Sequence, residues 1–168
     1  MADDLLEAVR DLAARGEYDN ALALCDEARA GGPSPTHPRV FTCRAFVHRR
    51  MKAYDLAVAD ASEGLALHPR DPGLLFDRAV SQIEDQSFEA AYADLERVLD
   101  AERAKGDDLL TETANLLLAI CSLRLARFRE TIDHAEPLDS MTRFWILGRL
   151  HTRDQVLAEA KDAHSKRT

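Results

Sequence analysis

The chain has 168 residues, with 22 Lys and Arg against 30 Asp and Glu, a formal charge of −8, and 46% apolar but only 6% aromatic residues. The acidic balance disfavours a general nucleic-acid binder, and the even spread of apolar residues disfavours disorder. No run of about eighteen apolar residues offers a membrane span. The opening MADDLLEAVR is acidic and lacks the apolar core of a secretory signal. Cys25, Cys43 and Cys121 are odd in number and far apart, which points to free thiols in a reducing, cytoplasmic compartment rather than a disulfide framework.

In chain order, the first helical pair is expected over 2–15 and 18–30, with Gly16 at the turn. A second pair follows over 38–51 and 54–67, and a third over 72–85 and 88–104. Pro33, Pro69 and Pro72 stop or start helices, because proline is tolerated only in a first turn or beyond an end. The second helix of the third pair is expected to run past its usual length and stop at Gly106, as a left-handed cap. LARFRETIDHAEPL begins the closing half of a weaker fourth pair, whose second helix is cut short by Pro137. Beyond it, helices are expected over 140–151 and 153–164, the latter capped by Thr152 with Gln155 as its capping-box partner. The final SKRT should fray. No segment shows the strict alternation of a strand, so essentially no sheet is expected.

The pairs are copies of one another. RGEYDNALALCDEA, MKAYDLAVADASEG and DQSFEAAYADLERV superimpose, giving an aromatic column of Tyr18, Tyr54, Phe88 and Phe128. A small column follows three residues later at Ala21, Ala57, Ala91 and Thr131. Val9, Ala45, Ala79 and Ala119 form a third column, and Ala28, Gly64, Val98 and Leu138 a fourth. Every column repeats in steps of 36, 34 and 40 residues, with the excess in GGPSPTHP (31–38) and around AERAKGDDLLT (101–111). Small residues let helix axes approach, while the aromatic wedges between one pair and the next.

This pattern resembles the tetratricopeptide repeat family, a 34-residue helical hairpin. Arg44-Ala45 and Arg78-Ala79 match its mid-helix small position, Leu67-His68-Pro69 its closing leucine-x-proline, and Phe41 and Leu75 its early aromatic. The turns depart from it, with Lys52, Gln86 and Ala126 where glycine is preferred. The resemblance implies an all-α, right-handed α-solenoid in a single domain, with repeats at about 2–35, 38–71, 72–105 and 112–138 and capping helices at 140–164. It further implies a non-enzymatic scaffold, without cofactor or metal, that seats a partner in a concave groove lined by the first helix of each hairpin.

The matching groove positions are Leu6, Thr42, Phe76 and Leu116, then Arg10, Phe46, Val80 and Ile120, then Ala13, Arg49, Ile83 and Leu123. Arg39, Arg49 and Arg50 stand at one side. One reading is a groove for an apolar protein or peptide segment, with or without an acidic group, anchored by Phe46, Phe76, Val80 and Ile83. The other is that the chain's own final helices fold back over these residues, with Phe144 and Trp145 as the plug. The family's carboxylate clamp is absent, since Leu6, Arg10, Cys43, Gly73 and Asp77 occupy its places. Three rival functions stay open beside the scaffold: a dedicated small chaperone or toxin inhibitor for one partner, a self-associating module held together around Trp145, and an enzyme whose site assembles across helices without a linear motif. The chain is accordingly expected to be a monomer or a weak homodimer, with neither nucleic acid nor membrane as partner.

By copy the formal charge runs −5 for 1–37, +2 for 38–71, −6 for 72–111 and +1 for 112–168. The basic copy carries Arg39, Arg44, Arg49, Arg50 and Lys52, which could steer an acidic peptide or pair internally with Asp77, Glu84 and Asp85. Catalytic constellations are missing: there is no HExxH, CxxC, GxxxxGK[ST] or G-x-S-x-G. Asp133, His134 and Glu136 read as surface polar residues, His48 as a partly buried packing residue, and Cys25 and Cys121 as inward-facing packers.

Overall fold

The structure, a computed structural model, describes residues 2–31 and 36–166, with side chains from residue 4 onward. Pro33 and the final Arg167 and Thr168 lie outside the described residues. The helices are α1 (Ala2–Ala14), α2 (Tyr18–Gly31), α3 (Pro38–Arg50), α4 (Tyr54–Leu67), α5 (Pro72–Glu84), α6 (Phe88–Lys105), α7 (Thr111–Arg124) and α8 (Phe128–Ala135). Two short strands follow, β1 (Arg143–Ile146) and β2 (Arg149–Thr152), and then α9 (Arg153–Ser165). The expected α6 extension is present: it ends with Gly106 in the left-handed region at φ 70°. Thr152 caps α9 through the expected reciprocal pair with Gln155.

Four turns close in one way, and they explain the sequence columns. The amides of Gly16, Lys52, Gln86 and Ala126 donate to the carbonyls of Ala13, Arg49, Ile83 and Leu123. The next amides, of Glu17, Ala53, Ser87 and Arg127, reach back to Leu12, His48, Gln82 and Ser122 at 2.8–2.9 Å. This double closure is the Schellman motif, and it requires a left-handed residue at its centre. Gly16, Lys52, Gln86 and Ala126 supply it, with φ of 78°, 61°, 63° and 58°. The aromatic column then opens α2, α4, α6 and α8. A side chain in this region costs about 1–2 kcal/mol, partly offset by glycine's larger entropy loss. Ala126→Gly, which removes only an exposed methyl, should therefore stabilise the protein by about 0.5–1 kcal/mol. A urea midpoint that falls instead would contradict the assignment.

Packing divides the chain within α5 into two compact units, residues 1–81 and 82–168. In the first, Val9, Ala21, Cys25, Cys43 and Val47 form a buried cluster, overlaid by Leu5, Leu6, Leu12, Tyr18 and Phe46. Ala45, Ala57 and Ala61 make a second cluster where α3 meets α4. The absence of bulk there is used fully: a Cβ on Gly64 would stand 2.9 Å from the Leu74 side chain and from the Phe41 Cβ. A charged network also runs through this unit. The buried Asp60 carboxylate lies 2.6 Å from His48 Nδ1 and 3.3 Å from Arg44 Nε, and Arg44 Nη1 donates to Asp26 at 2.8 Å.

The second unit is organised around α7. Leu116, Leu117, Leu118, Ala119, Ile120 and Cys121 are all buried, so this helix presents apolar side chains on every face. Such a helix is stable only when surrounded, and α6, α8, α9 and β1 pack on it. Thr131 fits the small column because its hydroxyl donates to the Arg127 carbonyl of its own helix at 3.1 Å.

Residues 140–151, expected as a helix in an otherwise sheetless chain, instead contain a β-hairpin. Phe144 pairs with His151 and Trp145 with Leu150, in antiparallel register. Leu147 and Gly148 form its two-residue turn with φ of 54° and 72°, the positive pair that type I′ closure demands. Leucine in place of the usual asparagine hid this turn from the sequence.

Candidate partner-binding faces

The expected groove residues divide by burial. In the first unit Thr42, Phe46 and Phe76 are half-buried, Arg39 and Arg49 are half-buried, and Arg50 is exposed. Thr42 is already committed, its hydroxyl donating to the Arg39 carbonyl at 3.0 Å. The Arg49 guanidinium lies 5.8 Å from the Phe46 ring centroid, while its Nη2 stands 3.8 Å from Asp77 Oδ1. The basic cluster is thus paired internally in part: Arg49 with Asp77, and Arg44 with Asp26 and Asp60. Burial pushes the Asp77 carboxyl up to about 6, against the opposing pull of Arg49 and Arg10.

Four of the expected partner contacts are core. Val80, Ile83, Leu116 and Ile120 are at most 1% exposed, which leaves no surface on them for a partner. Within the second unit the cover is the hairpin and α9. Ile146 is fully buried, Phe144 half-buried, and the Leu147 amide donates to Glu84 Oε1 at 3.2 Å. Trp145 is not the plug: it is 66% exposed, on the opposite face of the hairpin with Leu150 at 43%. Alternation along β1 decides this, since neighbouring side chains point to opposite faces.

Sequence reading missed a cleft in the second unit, because its walls come partly from the segment expected to be helical. The cleft has a volume of about 460 Å³. Phe88 of α6 and Ile120, Leu123 and Arg124 of α7 form one side. Arg149 and His151 of β2, with Glu159 and Ala163 of α9, form the other. The Arg124 guanidinium lies 5.4 Å from the Phe88 ring centroid. Arg149 Nε donates to His151 Nε2 at 3.2 Å and its Nη2 stands 3.8 Å from Glu159.

His151 is buried, and desolvation lowers its pKa, helped by the charges of Arg149 and Arg124. His134 shifts the same way, chiefly by burial. It is no simple surface residue: Tyr92 Oη lies 3.0 Å from its Nε2, and Asn115 Oδ1 3.4 Å from its Nδ1. Both histidines resist protonation when folded, so their stabilising contribution is complete above the unfolded pKa of about 6.5 and is lost as pH falls through the folded values. Asp77 works oppositely: its contribution is complete below the ordinary carboxylate value and is lost as pH rises through about 6. Comparison of variants separates the two. His151→Gln should flatten the loss of melting temperature between about pH 7.5 and pH 5 relative to the parent, and an unchanged slope would remove His151 from the account.

Among the described residues no group of three or more His, Cys, Asp or Glu is arranged to hold a metal ion, and no helix is long and apolar enough to cross a membrane.

Solved structures share the fold. MamA from AMB-1 superimposes with a TM-score of 0.70 at 15% identity, over 96% of this chain and 88% of that one. MamA residues 41 to the end from Desulfovibrio magneticus RS-1 gives 0.62 at 17% identity, over 82% and 73%. A tetratricopeptide repeat protein from Parabacteroides merdae gives 0.51 at 17%, over 98% and 74%. No family model and no curated protein matches the chain. The likeness is one of fold: an all-α solenoid of tetratricopeptide-like hairpins, here with a β-hairpin inserted before the last helix.

Proposed function

We propose that this tetratricopeptide-like solenoid is a non-catalytic protein-interaction module whose first unit seats an apolar partner segment against α3 and the start of α5. One contrast carries the reading. Phe46 and Phe76 keep exposed surface, whereas Val80, Ile83, Leu116 and Ile120 at matching positions are covered. Large apolar side chains left accessible beside paired charge are the usual anchors of a peptide-binding face. Arg49, placed over Phe46, suits a segment that also carries an acidic residue, with Arg39 and Arg50 elsewhere on α3.

A photo-reactive benzoylphenylalanine at position 42 tests this in native extract. It should cross-link one discrete protein, and Phe46→Ala should abolish the product while the chain remains folded, its melting temperature lowered by the lost packing on the cluster of Val9 and Val47. Cross-links indifferent to Phe46 would refute the face. Capture of a single protein that the chain keeps inactive would make the module a dedicated chaperone or inhibitor.

Self-association is a second reading, favoured by the exposed cross-strand pair Trp145 and Leu150 with Met141 at 68% exposure. Sedimentation that is independent of concentration, and identical for Trp145→Ser, would remove it.

A further inference from the structure

The cleft of the second unit has the composition of a carboxylate receptor with an apolar floor. Phe88 and Leu123 supply the floor. Two guanidiniums, Arg124 and Arg149, face one carboxylate, Glu159, so the wall is positive on balance. Arg124 forms no ion pair with a carboxylate among the described residues, and its guanidinium lies over the Phe88 ring. Arg149 is oriented by a neutral acceptor, His151 Nε2, and only loosely by Glu159 at 3.8 Å. Planar guanidiniums held in place bind carboxylates through paired, charge-assisted hydrogen bonds. A cleft of about 460 Å³ falls within the range of binding cavities and has room for an acidic side chain with an apolar neighbour.

We propose that this cleft binds an acidic residue flanked by apolar ones in a peptide segment of a protein partner, the carboxylate lying between Arg124 and Arg149 and the flanking side chain on Phe88 and Leu123. The inference rests on reading the chain as an interaction module, and it is independent of the Phe46 face. Charge complementarity selects this occupant: a wholly apolar segment would desolvate the Arg124 guanidinium with no carboxylate beside it, and a basic one would be repelled. The arriving carboxylate also supplies a negative neighbour for His151, which favours its protonated form.

The test is a titration of the isotope-labelled full chain, followed by nuclear magnetic resonance, with acetyl-Leu-Glu-Leu-amide and acetyl-Leu-Gln-Leu-amide. The Glu peptide should shift the Arg124 and Arg149 Nε–H signals and raise the titration midpoint of His151. The Gln peptide should bind about tenfold more weakly, the size expected for losing a charge-assisted pair. Arg149→Gln, on a half-exposed side chain, should weaken the Glu peptide severalfold, while Arg103→Gln, on an exposed side chain paired with Asp100, should leave it unchanged. Equal binding of the two peptides would overturn the proposal, as would acetate matching the Glu peptide or no shift in the cleft. Shifts confined to Phe46 and Phe76 would overturn it while supporting the first-unit face, and cross-linking at position 42 judges that face separately.

Discussion

Asp60→Ala is expected to destabilise the protein by about 3 kcal/mol, the lower part of the range for removing one partner of a buried ion pair. Asp60 is 7% exposed and lies within ion-pair distance of both His48 and Arg44. Without it, His48 loses its 2.6 Å partner inside the helix pair, and Arg44 Nε keeps no carboxylate nearby. Two things moderate the cost. Arg44 retains Asp26 through Nη1, and its side chain keeps 23% exposure to water. Asp60→Asn keeps an acceptor and should cost distinctly less than the alanine change. The comparison is made from urea midpoints with slopes held common. A loss under about 1 kcal/mol for the alanine variant would show that the network is no stronger than a surface pair. A double-mutant cycle with His48→Ala then isolates the direct coupling.

Ile146→Ala should cost about 2–4 kcal/mol, by the transfer and cavity terms for truncating a fully buried side chain. Trp145→Ala, one residue earlier, should cost little, because its ring already faces solvent. The contrast is the signature of a strand with one covered and one open face. It also has a functional consequence. Ile146 belongs to the hairpin that packs on α7, so loosening it should raise hydrogen exchange in α7 and increase binding of an apolar dye to the second unit. Similar costs at 145 and 146 would mean that the hairpin does not serve as the cover.

Much of the fold was legible in the residues because its determinants are local. The aromatic column marks the first residues of α2, α4, α6 and α8, and the left-handed centres at 16, 52, 86 and 126 lie at the same steps. Thr152 with Gln155 and the long α6 ending at Gly106 follow from capping chemistry that acts within a few residues. The hairpin was missed because Leu147 carries a positive φ that leucine seldom adopts. Its strands are four residues each, too short for period-two alternation to register against a helical background.

The groove positions are what the family resemblance implies at matching repeat positions, and repeat spacing says which residues share a helix face without saying what lies on that face. Phe46 and Val80 are matching positions of neighbouring first helices; one keeps exposed surface and the other has none. Likewise Arg149 and Arg124 are distant in sequence, and only the hairpin brings them to one cleft. The sequence by itself determined the helices, their turns and the repeating contacts, since these depend on dihedral preference, capping and side-chain size within one hairpin. The tertiary structure alone decided which apolar surface remains open within each unit and where charges distant in sequence meet, because both depend on packing between elements, as where the hairpin and α9 close on α7 in the second unit, and long-range packing overrides local propensity there.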